Sequence, residues 1–263
     1  VERVVNYAVD QGLGRFAVFA PATPYGEEVV SAMASTVLST GSQMVRVEQY
    51  PADDEGIMAR ARALAEYEGR RASLIARRAE LKLLKGDPEA IAKLEYIRKA
   101  ETLGEVSYDA VMIPEGGDKL RTVAPLLPYF DVDNKKVKFL GTGLWDDEKI
   151  GLEPALVGGW FAGPNPANTL AFLRRFEDVF GYRPPRIVSL AYDAMALATV
   201  LGSNEQPNSY SAAAITDPNG FAGVDGLFRF GQDGIAVRGL AILEVRPQRL
   251  KVLDPAPSSF NAS

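Results

Sequence analysis

The sequence contains neither cysteine nor histidine. Without cysteine, disulfide bonds, thiolate nucleophiles, iron–sulfur clusters and cysteine-ligated zinc are excluded. Without histidine, Ser-His-Asp and Cys-His catalytic arrangements and histidine-based metal sites are excluded as well. Carboxylates, lysine and tyrosine remain available for catalysis, but no Gly-x-Ser-x-Gly turn and no lysine isolated in an apolar context points to such a role. We therefore expect no enzymatic activity, no catalytic residue, and no metal or cofactor.

Long apolar runs and an excess of positive charge are also missing. The 263 residues include no stretch of about 20 apolar residues that could span a membrane. The net charge is −5, which argues against general binding of nucleic acid because such binding needs a basic surface. The composition, 47% hydrophobic and 24% charged, is that of a globular chain able to bury a core without disulfides.

Apolar runs typical of buried strands alternate with helical patterns through the first part of the chain. An amphipathic helix is predicted over 1–9, and the predicted strands and helices that follow are strands 15–21, 44–50, 108–114, 136–141 and 156–162, and helices 27–38 and 118–129. Strand–helix–strand spacing of this kind predicts a parallel, doubly wound α/β sheet. We assign residues 1–158 to one α/β lobe of the ligand-binding type.

Residues 59–101 depart from this pattern because 18 of these 43 residues are charged. Thin apolar stripes at helical spacing and the Gly86-Asp87-Pro88 break predict two helices joined by a turn. The segment is therefore interpreted as a helical hairpin inserted into the lobe. Two interpretations remain open, a solvated pair of surface helices or an arm that binds a partner.

Helices dominate after Asn165, where the pattern predicts helices over 166–180 and 189–201. Strands are predicted at 226–230 and 240–245, and the tail over 254–263 is predicted to be irregular. We assign 159–238 to a partial second lobe. Residues 239–263 are interpreted as a C-terminal strand that returns to the first lobe, followed by the tail.

Ligands of parallel α/β sheets bind beyond the carboxyl ends of the strands. Residues at or just past the predicted strand ends form the candidate ligand-binding set: Tyr25, Glu115, Gly116, Trp145 and Trp160. The alternative is that the glycine shapes a turn and the aromatic rings fill contacts between lobes. The acidic run 146–148 is interpreted as the N-terminus of a helix rather than a cation site.

Six segments, in this order, resemble landmarks of type I periplasmic solute-binding proteins, the leucine/isoleucine/valine-binding group: 15–26 (RFAVFAPATPYG), 108–115 (YDAVMIPE), 139–145 (FLGTGLW), 156–166 (LVGGWFAGPNP), 189–198 (SLAYDAMALA) and 223–234 (GVDGLFRFGQDG). The resemblance implies the two-lobed type I periplasmic-binding-protein fold, with the N-terminal half of the first lobe absent and one lobe incomplete. It also implies a non-catalytic periplasmic protein of an ABC-type transport system, with the transporter permease as partner. The implied ligand is small, polar and amino-acid-like, bound between lobes.

A narrower resemblance comes from the charged insertion and the ending 253–257 (LDPAP), which are similar to those of penicillin-binding protein activators. That subgroup implies a cell-envelope regulator that activates a peptidoglycan synthase, anchored to the outer membrane as a lipoprotein. The loop 115–118 lacks the aromatic residue, and 142–145 the acidic residue, that the amino-acid binders would show. These departures argue against a branched-chain amino acid as ligand, and both functions remain open.

Overall fold

A computed structural model describes residues 1–185, 187–203 and 210–260. The chain divides into two compact units. The first unit comprises Val1–Phe161 and Val245–Arg249, and the second comprises Ala162–Glu244 and the chain from Leu250 onward. The predicted domain limits at 158 and 238 stay predictions.

The first unit contains seven α-helices and the first strands of a large sheet. Its helices are α1 (Glu2–Asp10), α2 (Pro24–Ser39), α3 (Asp54–Leu64), α4 (Tyr67–Leu83), α5 (Pro88–Tyr96), α6 (Gly117–Val123) and α7 (Leu126–Tyr129). Its strands are β1 (Arg15–Pro21), β2 (Gln43–Tyr50), β3 (Ala110–Met112) and β4 (Lys138–Gly141). Short 3-10 turns follow at Gly143–Trp145, Ile150–Leu152 and Pro154–Leu156.

The remaining elements run from the boundary of the two units to the C-terminal part of the chain. They are β5 (Trp160–Gly163), α8 (Pro166–Phe180), α9 (Val188–Ser203), α10 (Ala212–Ile215), β6 (Phe221–Gly223), β7 (Gly226–Phe230), β8 (Ala236–Arg238), β9 (Ala241–Arg246) and β10 (Arg249–Asp254). No helix among the described residues is both long and apolar enough to cross a membrane.

The main sheet has seven strands in the order β10-β9-β5-β4-β3-β1-β2. The pairs β1–β2, β1–β3, β3–β4 and β4–β5 are all parallel, which confirms the predicted fold class. A second sheet, β6-β7-β8, is antiparallel. The five residues Phe16–Ala20 of β1 are all buried, as expected for a central strand of a parallel sheet covered on both faces.

The predicted strands differ from the observed ones: β3 is shorter than 108–114, and the short strands β6 and β8 were not predicted. The strand predicted over 156–162 begins only at Trp160, because Pro154–Leu156 form a 3-10 turn instead. Strand β10 was missed: it alternates only weakly between half-buried and exposed residues and lies at the edge of the sheet, where the hydrophobic signal for a strand is weakest.

Helices α4 and α5 form the predicted hairpin. Gly86 adopts a positive φ of 86°, and the side chain of Asp87 accepts a hydrogen bond from the backbone N–H of Glu89 at 2.9 Å. This is the expected combination of a glycine turn and an N-cap followed by proline. The hairpin begins at Tyr67 rather than at residue 59, because 54–64 form α3, which packs on β2 as the crossover helix.

The second unit exposes apolar side chains on its two long helices. None of the residues of α8 is buried, and α9 buries only Ser189, Asp193 and Leu201. Exposed apolar side chains include Val179 at 68% and Met195 at 68% of their full accessible area. Helices of such apolar composition normally bury at least one face, so this unit contains less of the stabilising core than the first.

We expect hydrogen exchange to separate the two units. Backbone amides of α8 and α9 should exchange much faster than those of β1, because little apolar surface must be exposed to open them. Exchange measured by mass spectrometry on peptides covering 166–180, 188–203 and 15–21 tests this directly. Equal protection of α8 and β1 would contradict it.

Candidate functional site

The end of β1 and the start of α2 hold Tyr25 in a fixed position. Thr23 caps the helix by accepting a hydrogen bond from the backbone N–H of Gly26 at 3.2 Å. A Cβ atom on Gly26 would lie 2.0 Å from the carbonyl oxygen of Pro21, so only glycine allows this close approach. The Tyr25 hydroxyl pairs with Oγ1 of Thr142 at 2.8 Å, which joins the loops that follow β1 and β4.

Glu115 receives a hydrogen bond from a buried tyrosine. The hydroxyl of Tyr50, at the end of β2, donates to Oε1 of Glu115 at 2.8 Å, while its ring packs on Phe19 with centroids 4.6 Å apart. Burial, followed by this hydrogen bond, raises the pKa of Tyr50 far above its ordinary value. The phenol is therefore a neutral donor at physiological pH, and the carboxylate is held at the carboxyl end of β3.

Tyr25 lies within electrostatic range of the same carboxylate. Burial is the main cause that raises the pKa of Tyr25, and the charge of Glu115 raises it further. Tyr25 is 43% exposed, so part of its side chain remains reachable by a ligand. The strand ends thus bring together one carboxylate and two hydroxyl groups, those of Tyr25 and Thr142.

Gly116 allows the loops after β3 and β4 to touch. A Cβ atom at this position would lie 3.0 Å from Cβ and 3.2 Å from the carbonyl oxygen of Leu144. A Cβ atom here would require Leu144 to move by a few tenths of an ångström. Gly116 shapes the site and contributes backbone, not a side chain.

Trp145 lies beneath these loops rather than on their surface. Its side chain is fully buried, and Nε1 donates to the carbonyl oxygen of Ile113 at 3.1 Å. A Cβ atom on Gly141 would lie 2.0 Å from the indole ring, so the ring occupies the space that the glycine leaves. The predicted ligand-facing position of the Trp145 side chain is therefore corrected: the ring supports the loop from below.

Trp160 lies elsewhere in the first unit. It is the first residue of β5 and pairs with Leu140, so the expectation that it lies at or just past the end of a strand is wrong. Its ring meets Tyr7 of α1 edge to face at 5.2 Å, and Nζ of Lys138 lies 4.4 Å from the ring centroid. The structure brings Tyr25, Glu115 and Gly116 together and leaves Trp160 apart from them.

The neighbouring acids are neutralised by an arginine. Arg121 contacts Asp118 at 2.7 Å and Asp147 at 2.9 Å. The helix expected to begin at the acidic run 146–148 does not form; Asp147 instead accepts a hydrogen bond from the backbone N–H of Lys149 at 2.8 Å. Within the part of the chain that the structure describes, no cluster of three carboxylates could hold a metal ion.

Sequence reasoning missed Tyr50 and Thr142. Both follow or end strands whose carboxyl ends were already identified as the candidate edge. Their positions were therefore available from the sequence. Their role was not, because a pairing over 65 residues, as between Tyr50 and Glu115, leaves no local pattern.

No family model matches the chain, and no curated protein matches it. Solved structures do match. A candidate branched-chain amino acid ABC transporter from Rhodospirillum rubrum has a TM-score of 0.67 at 16% identity, with 96% of this chain and 64% of that chain covered. A branched-chain amino acid ABC transporter periplasmic ligand-binding protein from Burkholderia xenovorans has a TM-score of 0.63 at 16% identity, with 100% of this chain and 64% of that chain covered. A solute-binding protein from R. palustris in complex with benzoate has a TM-score of 0.58 at 15% identity, with 98% of this chain and 63% of that chain covered.

These similarities show that the chain has the type I periplasmic-binding-protein fold. The chain spans about 64% of the length of the R. rubrum and B. xenovorans proteins. At 15–16% identity, the similarity carries the fold and leaves the ligand to the chemistry of the site.

Proposed function

We propose that this chain is the ligand-binding part of a periplasmic solute-binding protein that serves an ABC-type transporter. The arrangement of Tyr25, Thr142 and Glu115 at the carboxyl edge of the main sheet is the observation that carries the proposal. The Glu115 carboxylate and the Tyr25 hydroxyl, which the buried Thr142 holds in place on rigid strand ends, can bind and orient a small molecule.

The same groups indicate the class of ligand. The carboxylate of Glu115 favours a ligand that carries an ammonium or another strong donor, since a charge-assisted hydrogen bond is the strongest contact available there. The Tyr25 hydroxyl can donate or accept, and the buried Thr142 hydroxyl holds it in place. A small polar, amino-acid-like molecule fits this set better than a purely apolar one, and the absence of an aromatic side chain at 116–118 gives a branched side chain little to pack against.

We expect a stabilising ligand among the standard amino acids and small amine-bearing acids. A ligand present at about 100 times its dissociation constant adds roughly 2.7 kcal/mol to the free energy of unfolding, which a thermal-shift screen detects.

Tyr25→Ala should weaken binding by about 1–3 kcal/mol, the scale for losing a packed aromatic contact. Glu115→Gln should weaken it by a similar amount, because the charge is lost while the side-chain shape is kept.

A matched control is Tyr96→Ala, because Tyr96 is 89% exposed on α5. The Tyr96→Ala variant should bind the ligand with the same affinity as the unmodified chain, as measured by calorimetry. Unchanged affinity in both the Tyr25 and the Glu115 variants would rule out this surface as the binding site. A full screen without any stabilising molecule would count against the solute-binding role itself.

A second candidate function is regulation of a peptidoglycan synthase in the cell envelope, with the full-length protein anchored as an outer-membrane lipoprotein. The hairpin α4–α5 favours it, because an inserted arm with exposed apolar residues is a feature of protein docking. Stimulation of purified synthase by this chain, lost when residues 76–95 of the hairpin are replaced by a short flexible linker, would support this role. Stimulation that survives the replacement would not.

A further inference from the structure

A continuous groove runs along the base of the hairpin. Two cavities, of about 460 and 280 Å³, share Tyr67, Arg71 and Glu101 as lining residues. We name the combined feature the hairpin groove and define it by six residues: Tyr67, Arg71, Ile75, Arg78, Tyr129 and Phe130. None of them belongs to the candidate ligand site.

The groove lies at the opposite edge of the sheet from that site. The hairpin is inserted between α3 and β3, and connections from a helix to the next strand lie at the amino edge of a parallel sheet. Consistent with this, Arg70 at the hairpin base lines a polar cleft of about 250 Å³ together with Arg15, the first residue of β1, and Lys136, which precedes β4. A partner in the groove would therefore leave Tyr25 and Glu115 accessible.

The walls of the groove combine fixed aromatic rings with exposed apolar residues. The rings of Tyr67 and Phe130 meet edge to face at 5.4 Å, and both residues are less than 10% exposed. Tyr129, at 5.0 Å from Phe130, is 68% exposed, and Ile75 is 58% exposed. Tyrosine and arginine around a rigid apolar floor are the residue types that dominate binding energy at protein interfaces.

Helix α4 turns a cationic stripe toward the groove. Arg71, Ile75 and Arg78 are spaced by four and three residues and therefore share one face of the helix. Nη2 of Arg78 is held by the backbone carbonyl oxygens of Ile97, Arg98 and Ala100 at 2.7–2.9 Å. The guanidinium of Arg78 is thus held in place where it lines the groove.

These two arginines lack an acidic partner within the described residues. Arg71 donates to the hydroxyl of Tyr67 at 3.3 Å, and neither Arg71 nor Arg78 forms an ion pair there. The acids Glu80, Glu89 and Glu95 of the hairpin are engaged with hairpin cations: Arg77, Lys93 and Arg98. Glu101, an acid that lines both cavities, accepts a hydrogen bond from the Tyr67 hydroxyl at 3.3 Å. The stripe therefore retains positive charge in a chain whose net charge is −5.

We propose that the hairpin groove docks a peptide segment of another protein that carries two carboxylates with an apolar side chain between them. Arg71 and Arg78 lie seven residues apart, which on a helix is about 10 Å. In an extended peptide, residues i, i+2 and i+4 face the same side, so two carboxylates at i and i+4, about 13 Å apart, and an apolar residue at i+2 can all face the groove within reach of the two arginine side chains. The apolar side chain between them meets Ile75 and the exposed ring of Tyr129.

Selection of random dodecapeptides displayed on phage tests this chemistry without assuming a partner. Peptides captured by the unmodified chain, after removal of those that also bind an Arg71→Glu variant, should be enriched in acidic pairs with Leu, Phe or another apolar residue between them. A synthetic peptide of the enriched sequence, measured by fluorescence anisotropy, should lose roughly tenfold or more in affinity with Arg71→Glu and with Tyr129→Ala. A peptide with Gln in place of its acids should bind as weakly.

Arg77→Glu is the matched control, since it makes the same change of charge on the same helix at a residue paired with Glu80. It should leave the affinity of the peptide within about twofold. If Arg77→Glu loses as much affinity for the peptide as Arg71→Glu does, binding depends on the overall charge of the helix and not on the groove. That result would overturn the proposal. Circular dichroism of each variant checks that the hairpin remains folded.

Other occupants of the groove give distinct results, each of which overturns the proposal. If the phage selection does not enrich acidic peptides, the groove does not recognise paired carboxylates. Binding of phosphatidylglycerol vesicles that depends on Arg71, without peptide binding, would identify a membrane surface. A concentration-dependent dimer in sedimentation that dissociates in Arg71→Glu would identify a second copy of this chain.

Discussion

Replacing Trp145 by alanine is expected to lower the free energy of unfolding of the first unit by about 3–5 kcal/mol, the range for truncating a buried tryptophan. The ring is fully buried, lies 6.3 Å from Phe161 between ring centroids, and fills the space above Gly141. Its removal leaves a cavity and also leaves the carbonyl of Ile113 without the indole donor. Chemical denaturation followed by circular dichroism measures the change.

The neighbouring Leu144 supplies the control. It is 49% exposed, so Leu144→Ala should cost less than about 1 kcal/mol. Trp145→Phe should fall between the two, because most of the ring volume is kept while the hydrogen bond is lost. If Trp145→Ala and Leu144→Ala cost the same, the ring does not fill the core beneath the loop.

The position of Trp145 also matters for ligand binding. A ring that supports the loop from below acts on Thr142 and Gly116 through their backbone, so Trp145→Phe should weaken ligand binding only slightly. Tyr25→Ala removes a group at the surface itself and should weaken it more. The order of these two effects distinguishes support from direct contact.

The sequence predicts most of the fold because the strands of a parallel sheet are buried on both faces. Such strands appear as short apolar runs, as in 15–21, and alternate with amphipathic helices. The hairpin turn was predictable for a different reason: Gly86, Asp87 and Pro88 each favour one step of a turn and helix start through local backbone chemistry. Strand β10 was not predictable, because an edge strand buries too few apolar side chains to produce a recognisable hydrophobic pattern in the sequence.

The candidate site was only partly predictable. Topology places Tyr25, Glu115 and Gly116 at the carboxyl edge, and the structure brings these three together. The direction of a side chain at the end of a strand is set by packing, so nothing in the sequence distinguishes Trp145 below the loop from Tyr25 on its surface. The prediction for Trp160 was wrong for another reason. Its strand begins at residue 160 instead of the predicted residue 156, so Trp160 lies at the beginning of the strand and not near its end.

The hairpin adds a second kind of constraint, which connects its docking surface to the stability of the unit. Arg70 is almost buried and donates to the backbone carbonyl oxygens of Ala65 at 3.1 Å, Gly104 at 3.1 Å and Asp131 at 2.8 Å. It thereby joins the start of α4 to the segments that precede β3 and β4. Deletion of the whole of 59–101 would remove this anchor, so a shortened hairpin that keeps residues 67–75 is the appropriate variant for docking experiments.

Arg70→Ala is expected to lower the free energy of unfolding by about 2–4 kcal/mol, since three carbonyl groups in a partly buried site lose their charged donor at once. Arg70→Lys should recover little of this, because one ammonium cannot reproduce the planar fork that reaches three acceptors. Arg98→Ala, which removes only an exposed pair with Glu95 at 2.8 Å, should cost less than about 0.5 kcal/mol. Denaturant titration of the three variants measures these differences, and hydrogen exchange should show faster exchange of α4 in Arg70→Ala alone. A cost for Arg70→Ala no larger than that for Arg98→Ala would mean that the hairpin is held by its apolar contacts, chiefly Tyr67 on Phe130, and that the polar anchor contributes nothing to its position.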